Sequence, residues 1–204
     1  MTITLHRGDI PDSIDFGASV AVDTETMGLV NQRDRLCLVQ LSKGDGTADL
    51  VQIAAGQREA PNLVRLLRDT RVEKLFHYAR FDIAILQKTF GIMPGPVYCT
   101  KIASKLARTY TDRHGLKDLA GELLNVQISK QQQSSDWGAP ELSEAQLAYA
   151  ASDVLHLHAI RDKLDVMLQR EGRLALAIEC FAFLATRVRL DLMGWGETDI
   201  FAHG

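Results

Sequence analysis

The sequence has no apolar run near the roughly 20 residues a membrane-spanning helix requires, which excludes a helical transmembrane protein and any membrane partner. It has little cysteine: Cys37, Cys99 and Cys180 lie far apart, with no C-x-x-C pair. A disulfide framework or zinc finger is therefore not expected, the cysteines read as small core residues, and a reducing, cytoplasmic setting is the expectation. Positive charge is not in excess either. A formal net charge of −3 cannot grip long nucleic acid through bulk electrostatics. Any nucleic acid must be held locally, by a few basic groups or by bound metal. The first fifteen residues are polar and acidic, unlike a signal peptide.

What is present is an ordinary globular composition of 204 residues, 46% hydrophobic and 24% charged. That length suits one domain with at most a short extension. Strands are expected over residues 18–24, 35–41 and 47–53, with Gly44, Asp45 and Gly46 turning the last two into an antiparallel meander. Pro61 suits the first turn of a helix over 61–68. A strand over 72–76 then leads into a helix over 78–90 that Gly91 ends. This alternation predicts an α/β fold, a mixed central sheet flanked by helices.

Beyond residue 100 the pattern turns helical, over 101–108, 116–124 and 144–170, the last opened by a capping box of Ser143 and Gln146. A final helix over 173–192 carries Leu174, Leu176, Ile178, Phe181, Phe183, Leu184, Val188 and Leu190 around its whole circumference. A helix apolar all round must be buried all round, so a neighbouring subunit is implied. Residues 1–172 are read as one α/β domain and 173–204 as a C-terminal helix and tail forming an oligomerisation element.

Four carboxylates and a tyrosine stand out by spacing. Asp23 and Glu25, at i and i+2 near a strand's end, project from one face of the sheet. Asp82 lies one turn into a helix that follows a strand. Tyr149 and Asp153, at i and i+4, sit side by side on a helix. Crowded carboxylates call for a cation, and oxygen-only ligands suit Mg²⁺ or Mn²⁺ rather than zinc. Two such ions would clamp a phosphodiester, one activating water and one steadying the leaving 3′ oxygen. The Tyr149 hydroxyl could orient the water.

Asp23-Thr24-Glu25, His77-Tyr78-Ala79-Arg80-Phe81-Asp82 and Tyr149-Ala150-Ala151-Ser152-Asp153 resemble, in order, the three motifs of the DEDDy 3′–5′ exonucleases. Gln40-Leu41-Ser42, Gly115-Leu116-Lys117-Asp118-Leu119 and Ser135-Asp136-Trp137 resemble the ribonuclease D branch in particular. The resemblance runs over residues 15–165. It implies an RNase H-like (DnaQ-like) fold and hydrolysis of RNA from its 3′ end to nucleoside 5′-monophosphates. It makes Asp23, Glu25, Asp82 and Asp153 the ligands of two divalent ions and Tyr149 the water-orienting group.

Longer members carry helical substrate-binding domains for which this chain has no room. Its size and apolar last helix are instead similar to the compact bacterial nano-RNase branch, homo-octamers that degrade dinucleotides. Short RNA, a dinucleotide above all, is the expected substrate. Ribonuclease D-like trimming of longer RNA ends, DNA hydrolysis, and a non-catalytic RNA-binding scaffold are the alternatives. Leu29, on the turn at Gly28, matches a leucine that wedges between the last two bases in related nucleases, or is a buried loop residue.

Other residues leave open choices. His77 either touches the terminal sugar or phosphate or caps its strand. Lys101, Lys105 and Arg108 share a helical face, with Arg113 and Lys117 close behind, and either hold phosphates or form a solvated basic face. Trp137 is expected to anchor its loop and Trp195 to plug an interface. His156 and His158 point to different faces, so a histidine metal site is not expected.

Overall fold

Seven consecutive buried residues, Leu36–Ser42, form the most enclosed strand of the molecule. A strand covered on both faces reads as a continuous apolar run rather than an alternating one, as this segment does. Each fully buried leucine or valine there is worth about 1.5–3 kcal/mol relative to exposure. The computed structural model describes residues 1–129 and 131–203. In chain order they form β1 (Thr2–Arg7), β2 (Ser19–Thr26), β3 (Leu36–Ser42), β4 (Thr47–Gln52), α1 (Pro61–Arg68), β5 (Glu73–Phe76), α2 (Ala79–Phe90) and β6 (Val97–Cys99). Then follow α3 (Thr100–Ala107), α4 (Leu116–Leu124), α5 (Glu144–Leu155), α6 (Leu157–Arg170), α7 (Leu174–Leu190) and a wide π-turn, Asp191–Trp195.

The strands make one mixed sheet in the order β1-β4-β3-β2-β5-β6. The meander of β2, β3 and β4 is antiparallel, and Gly44 and Gly46 turn it at φ of 82° and 86°, which favours glycine. β5 and β6 extend it in parallel beside β2, and β1 in parallel beside β4. Helices cover both faces, and α5 lies over β2, β3 and β4.

Three elements depart from expectation. The first residues, read as polar, hold β1, whose Ile3 and Leu5 alternate with polar neighbours; an edge strand needs no stronger pattern. β6 has three residues, too few to show a period. The helix expected over 144–170 is two helices, meeting at His156 with φ −107° and ψ −4°. No glycine or proline marks that break. Its effect is tertiary: α5 stays on the sheet while α6 turns to pack on α3 and α4.

The final helix ends at Leu190 and gives way to the π-turn, where Gly194 takes φ 106°. One stripe of α7, Ala177, Phe181, Leu184 and Val188, is buried against α2, α3 and β6. Leu176, Ile178 and Phe183 face outward, 48%, 57% and 40% exposed. The chain alone therefore does not enclose this helix on every side. No helix among the described residues is long and apolar enough to cross a membrane.

Candidate functional site

β2 positions the first two carboxylates. Asp23 sits opposite Gln40 and Glu25 opposite Leu38 on β3, and the pairing register shifts between Glu25 and Thr26. That irregularity releases the strand just where its acidic residues emerge. α5 covers the same face, and its capping box at Ser143 and Gln146 is formed as expected. From α5 comes Asp153. Carboxylate oxygens of Asp23, Glu25 and Asp153 lie within 4.8 Å of one another, all three residues half-buried. Asp82 arrives from the first turn of α2 and is buried. Thr24, alternating to the other face of β2, donates to Asp82 Oδ1 at 2.6 Å. The structure thus brings together three of the four expected ligands and turns the fourth toward Thr24.

This crowding shifts every acid upward. Burial raises Asp23 well above the usual carboxylate range, and the charges of Asp82, Asp153 and Glu25 add to it. Burial, then Asp153 and Asp82, push Glu25 up to about 9. Asp82 rises to about 7 through burial, against the Thr24 hydrogen bond that lowers it. Asp153 rises to about 7 through burial, against a hydrogen bond from Tyr149. Acids so placed resist joint ionisation unless positive charge joins them, so the donor set fits a hard divalent cation. Burial and the neighbouring acids push the Tyr149 phenol above its ordinary range, so it stays protonated at neutral pH.

Asp23, Glu25, Tyr149 and Asp153 line a cleft of about 250 Å³ with Leu29 and His77, and Asp82 lies outside that lining. Leu29 is 85% exposed at its mouth, so it is not a buried loop residue. A side chain at Gly28 would run into the Asp34 carboxylate, which accepts from the Val30 amide at 2.9 Å and closes the loop. His77 both caps and lines the cleft. Its Nδ1 lies 2.9 Å from Thr100 Oγ1, and that hydroxyl donates to the Phe76 carbonyl at 3.1 Å. The hydroxyl's one proton is committed, so Nδ1 must be the donor and Nε2 carries the lone pair. Burial and Lys101 push the imidazole down to about 3, so it is neutral. Tyr78 links His77 to α2 in the left-handed region, at φ 70°, with Lys101 Nζ 4.2 Å from its ring centroid.

The expected basic face is broken up. Arg108 is fully buried, not a surface phosphate ligand: it pairs with Glu122 and donates to Ser104 Oγ at 3.0 Å and the Arg113 carbonyl at 2.8 Å. Arg113 is paired with Asp118 at 2.8 Å. Lys105 lies in a groove toward α7. Of the five, only Lys117 lines the acidic cleft. Trp137 anchors its loop as expected, buried with its ring 6.0 Å from that of Tyr149. Trp195 is 42% exposed. Neither His156 nor His158 joins a metal-ligating cluster among the described residues.

Two features escaped the sequence. Arg80 binds Asp191 through Nε at 2.5 Å and Nη2 at 2.8 Å, and the Gly196 carbonyl at 2.8 Å, tying the tail to the helix that carries Asp82. The partner is 111 residues away, so no local pattern signals it. Gln40 is fully buried with neither amide atom hydrogen-bonded. Each such group costs about 1–3 kcal/mol. The sequence singled out Gln40 within Gln40-Leu41-Ser42 but not its burial without a partner, for which a lone glutamine inside an apolar strand was the available signal.

Fold and cleft together define a class, a nuclease domain with a cation site, and the comparisons give the family. The 3′–5′ exonuclease family model matches residues 12–169, and the chain belongs to that family. It is similar to Brucella melitensis NrnC bound to pGG, at 61% identity and TM-score 0.97, and to Brucella melitensis NrnC with bound Mg²⁺, at 60% and 0.96, each over 100% of both chains. Ribonuclease D of Gluconacetobacter diazotrophicus is 41% identical over 155 residues, 76% of this chain and 39% of that one. The chain spans about two fifths of the length of the ribonuclease D relatives first matched. The RNase H-like fold, expected from the motifs, and the likeness to nano-RNase C, expected from the chain's size and apolar last helix, are borne out.

Proposed function

We propose that this chain is a metal-dependent 3′–5′ exoribonuclease that hydrolyses short RNA, dinucleotides above all, to nucleoside 5′-monophosphates. The observation that carries the reading is the meeting of Asp23, Glu25 and Asp153 oxygens within 4.8 Å at the floor of a small cleft. Those three residues, with Asp82 behind them, would hold two divalent ions, Mg²⁺ or Mn²⁺. Such ions supply the positive charge that makes water a nucleophile and steadies the leaving 3′ oxygen.

The chain's own groups do the rest. Tyr149, protonated and held beside the tilted ring of Trp137, orients the attacking water through its hydroxyl rather than removing a proton. His77, neutral with its lone pair on Nε2, accepts from a hydroxyl of the terminal sugar; without charge it is a poor phosphate ligand. Leu29, exposed at the mouth, separates the last two bases. A cleft near 250 Å³ lies below the 300–1,000 Å³ typical of small-molecule pockets, room for the end of a strand. The NrnC neighbour bound to pGG supports a short substrate.

Residues 173–204 act as the oligomerisation element, and the homo-oligomer is an octamer by resemblance to the nano-RNase branch. Its expected setting is the cytoplasm. The deciding experiment is a time course on 5′-labelled RNAs of two, three, seven and twenty nucleotides, with Mg²⁺ or Mn²⁺ and an EDTA control. Strong preference for the dinucleotide is the expected result. A descending ladder from the longest RNA at equal rate would replace this reading with ribonuclease D-like trimming, and no cleavage of any would favour a non-catalytic scaffold.

A further inference from the structure

Gln40 has a buried primary amide with no partner, and its position names one. It is the direct cross-strand neighbour of Asp23 in the antiparallel β2–β3 ladder, so the two side chains leave the same face of the sheet. Two diagonal neighbours on that face are polar: Gln52, whose amide nitrogen is committed to the Ala139 and Pro140 carbonyls at 3.0 and 3.3 Å, and Glu25, which stands one same-face pair further along the ladder than Asp23. Leu50 stands opposite on β4 and Leu38 lies two residues back on β3; both are apolar. Ser42, two residues on, already donates to the Thr47 carbonyl at 2.6 Å and accepts from the Gly44 amide at 3.2 Å. Above them α5 contributes Ala150, Ala151 and Val154 as buried apolar cover. A buried amide in such a pocket is retained for an occasion on which it is satisfied.

We infer that Gln40 is a positioning residue for Asp23: its Nε2–H donates to the Asp23 carboxylate when a divalent cation occupies the cleft, fixing which oxygen faces the ion. The inference rests on the reading of the acidic cleft as a cation site. A cation that takes one oxygen of the Asp23 carboxylate leaves the other needing a donor, and a partner so placed tunes both orientation and affinity. The amide is therefore a liability in the empty protein and an asset in the loaded one.

That asymmetry sets the test, made on the full chain as Gln40→Met, with Gln40→Leu as the second variant. Mn²⁺ binding is read by electron paramagnetic resonance without substrate, and the unfolding midpoint is read in EDTA. Mn²⁺ affinity should fall about 10–100-fold, as for other outer-shell changes, while the metal-free midpoint holds or rises. A residue needed only for packing would lower the midpoint instead. Mn²⁺ affinity within twofold of the parent overturns the proposal, as does a lowered metal-free midpoint or failure of both variants to fold. A parent chain that binds no Mn²⁺ overturns the reading of the cleft itself, and the proposal with it.

Discussion

At the cleft, Asp23, Glu25 and Asp153 crowd negative charge into a half-buried space, whereas along α7 Leu176, Ile178 and Phe183 leave apolar surface in water. Both arrangements are unfavourable in the isolated chain, for opposite reasons: charge held away from solvent, and hydrocarbon held in it. On the proposed reading each would be relieved from outside, one by a cation and the other by a second surface. The two regions are also joined, since Arg80 in α2 grips Asp191 just beyond α7. The cleft defines the chemistry and α7 the context, and each can be disturbed alone.

The largest effect should come from the cleft. Asp153→Asn and Asp23→Ala should each lower dinucleotide turnover by on the order of 10³-fold or more, with the assembly state by light scattering unchanged. Full turnover in both would remove the cleft from the chemistry. Tyr149→Phe should cost less, roughly 10²-fold in kcat, with Mn²⁺ affinity retained, because the role proposed for the hydroxyl is to orient water and not to act as a ligand. A variant with normal kcat would reduce Tyr149 to a packing partner of Trp137.

On the other side of the comparison, Leu176→Glu with Ile178→Glu should lower the assembly state while leaving the chain folded, since both side chains face outward. Deleting residues 173–204 is a blunter test. It also strips Phe181, Leu184 and Val188 from the core, so an insoluble product is expected alongside a smaller assembly. A parent chain that runs as a well-behaved monomer would break the comparison, leaving α7's outward face to be explained otherwise.

The cleft was legible because chemistry imposes spacing: i, i+2 on a strand and i, i+4 on a helix put acids on shared faces whatever else the fold does. Asp82 was legible as a cleft acid but not as one turned to Thr24, which depends on a rotamer. The outer elements were harder. β1 has two inward apolar residues, β6 is too short, and the His156 break has a tertiary cause. α7 was legible as apolar all round, but which stripe the chain itself buries depends on where α2, α3 and β6 stand. Arg108 had the periodicity of a surface base and became the buried member of an ion pair because Glu122, fourteen residues on, folds back to it. Composition reports charge; it does not report pairing.

The smallest effect is in stability against pH, and its sign follows from the raised carboxyls. Asp82 and Asp153, near 7, and Glu25, near 9, hold more protons folded than unfolded above their ordinary 3.8–4.5. Stability of the metal-free chain therefore falls as pH rises through those values. Bases lowered by burial work the other way and bound the window. His77, His114, His156 and His158 oppose folding only below their ordinary 6.5, and Lys74, lowered to about 8, favours folding as pH climbs past that value. Between pH 6.5 and 8 the carboxyls act with least interference. In EDTA the unfolding midpoint should drop by a few degrees across that interval, at about 2–4 °C per kcal/mol for a chain of this size. Saturating Mg²⁺ should flatten the slope by supplying the charge that the ionised acids lack. The α7 substitutions should leave the slope untouched, whereas Asp153→Asn should reduce it. A midpoint in EDTA that is flat or rises over the interval would mean the acids share their space without mutual cost, and the contrast with α7 would lose its electrostatic half.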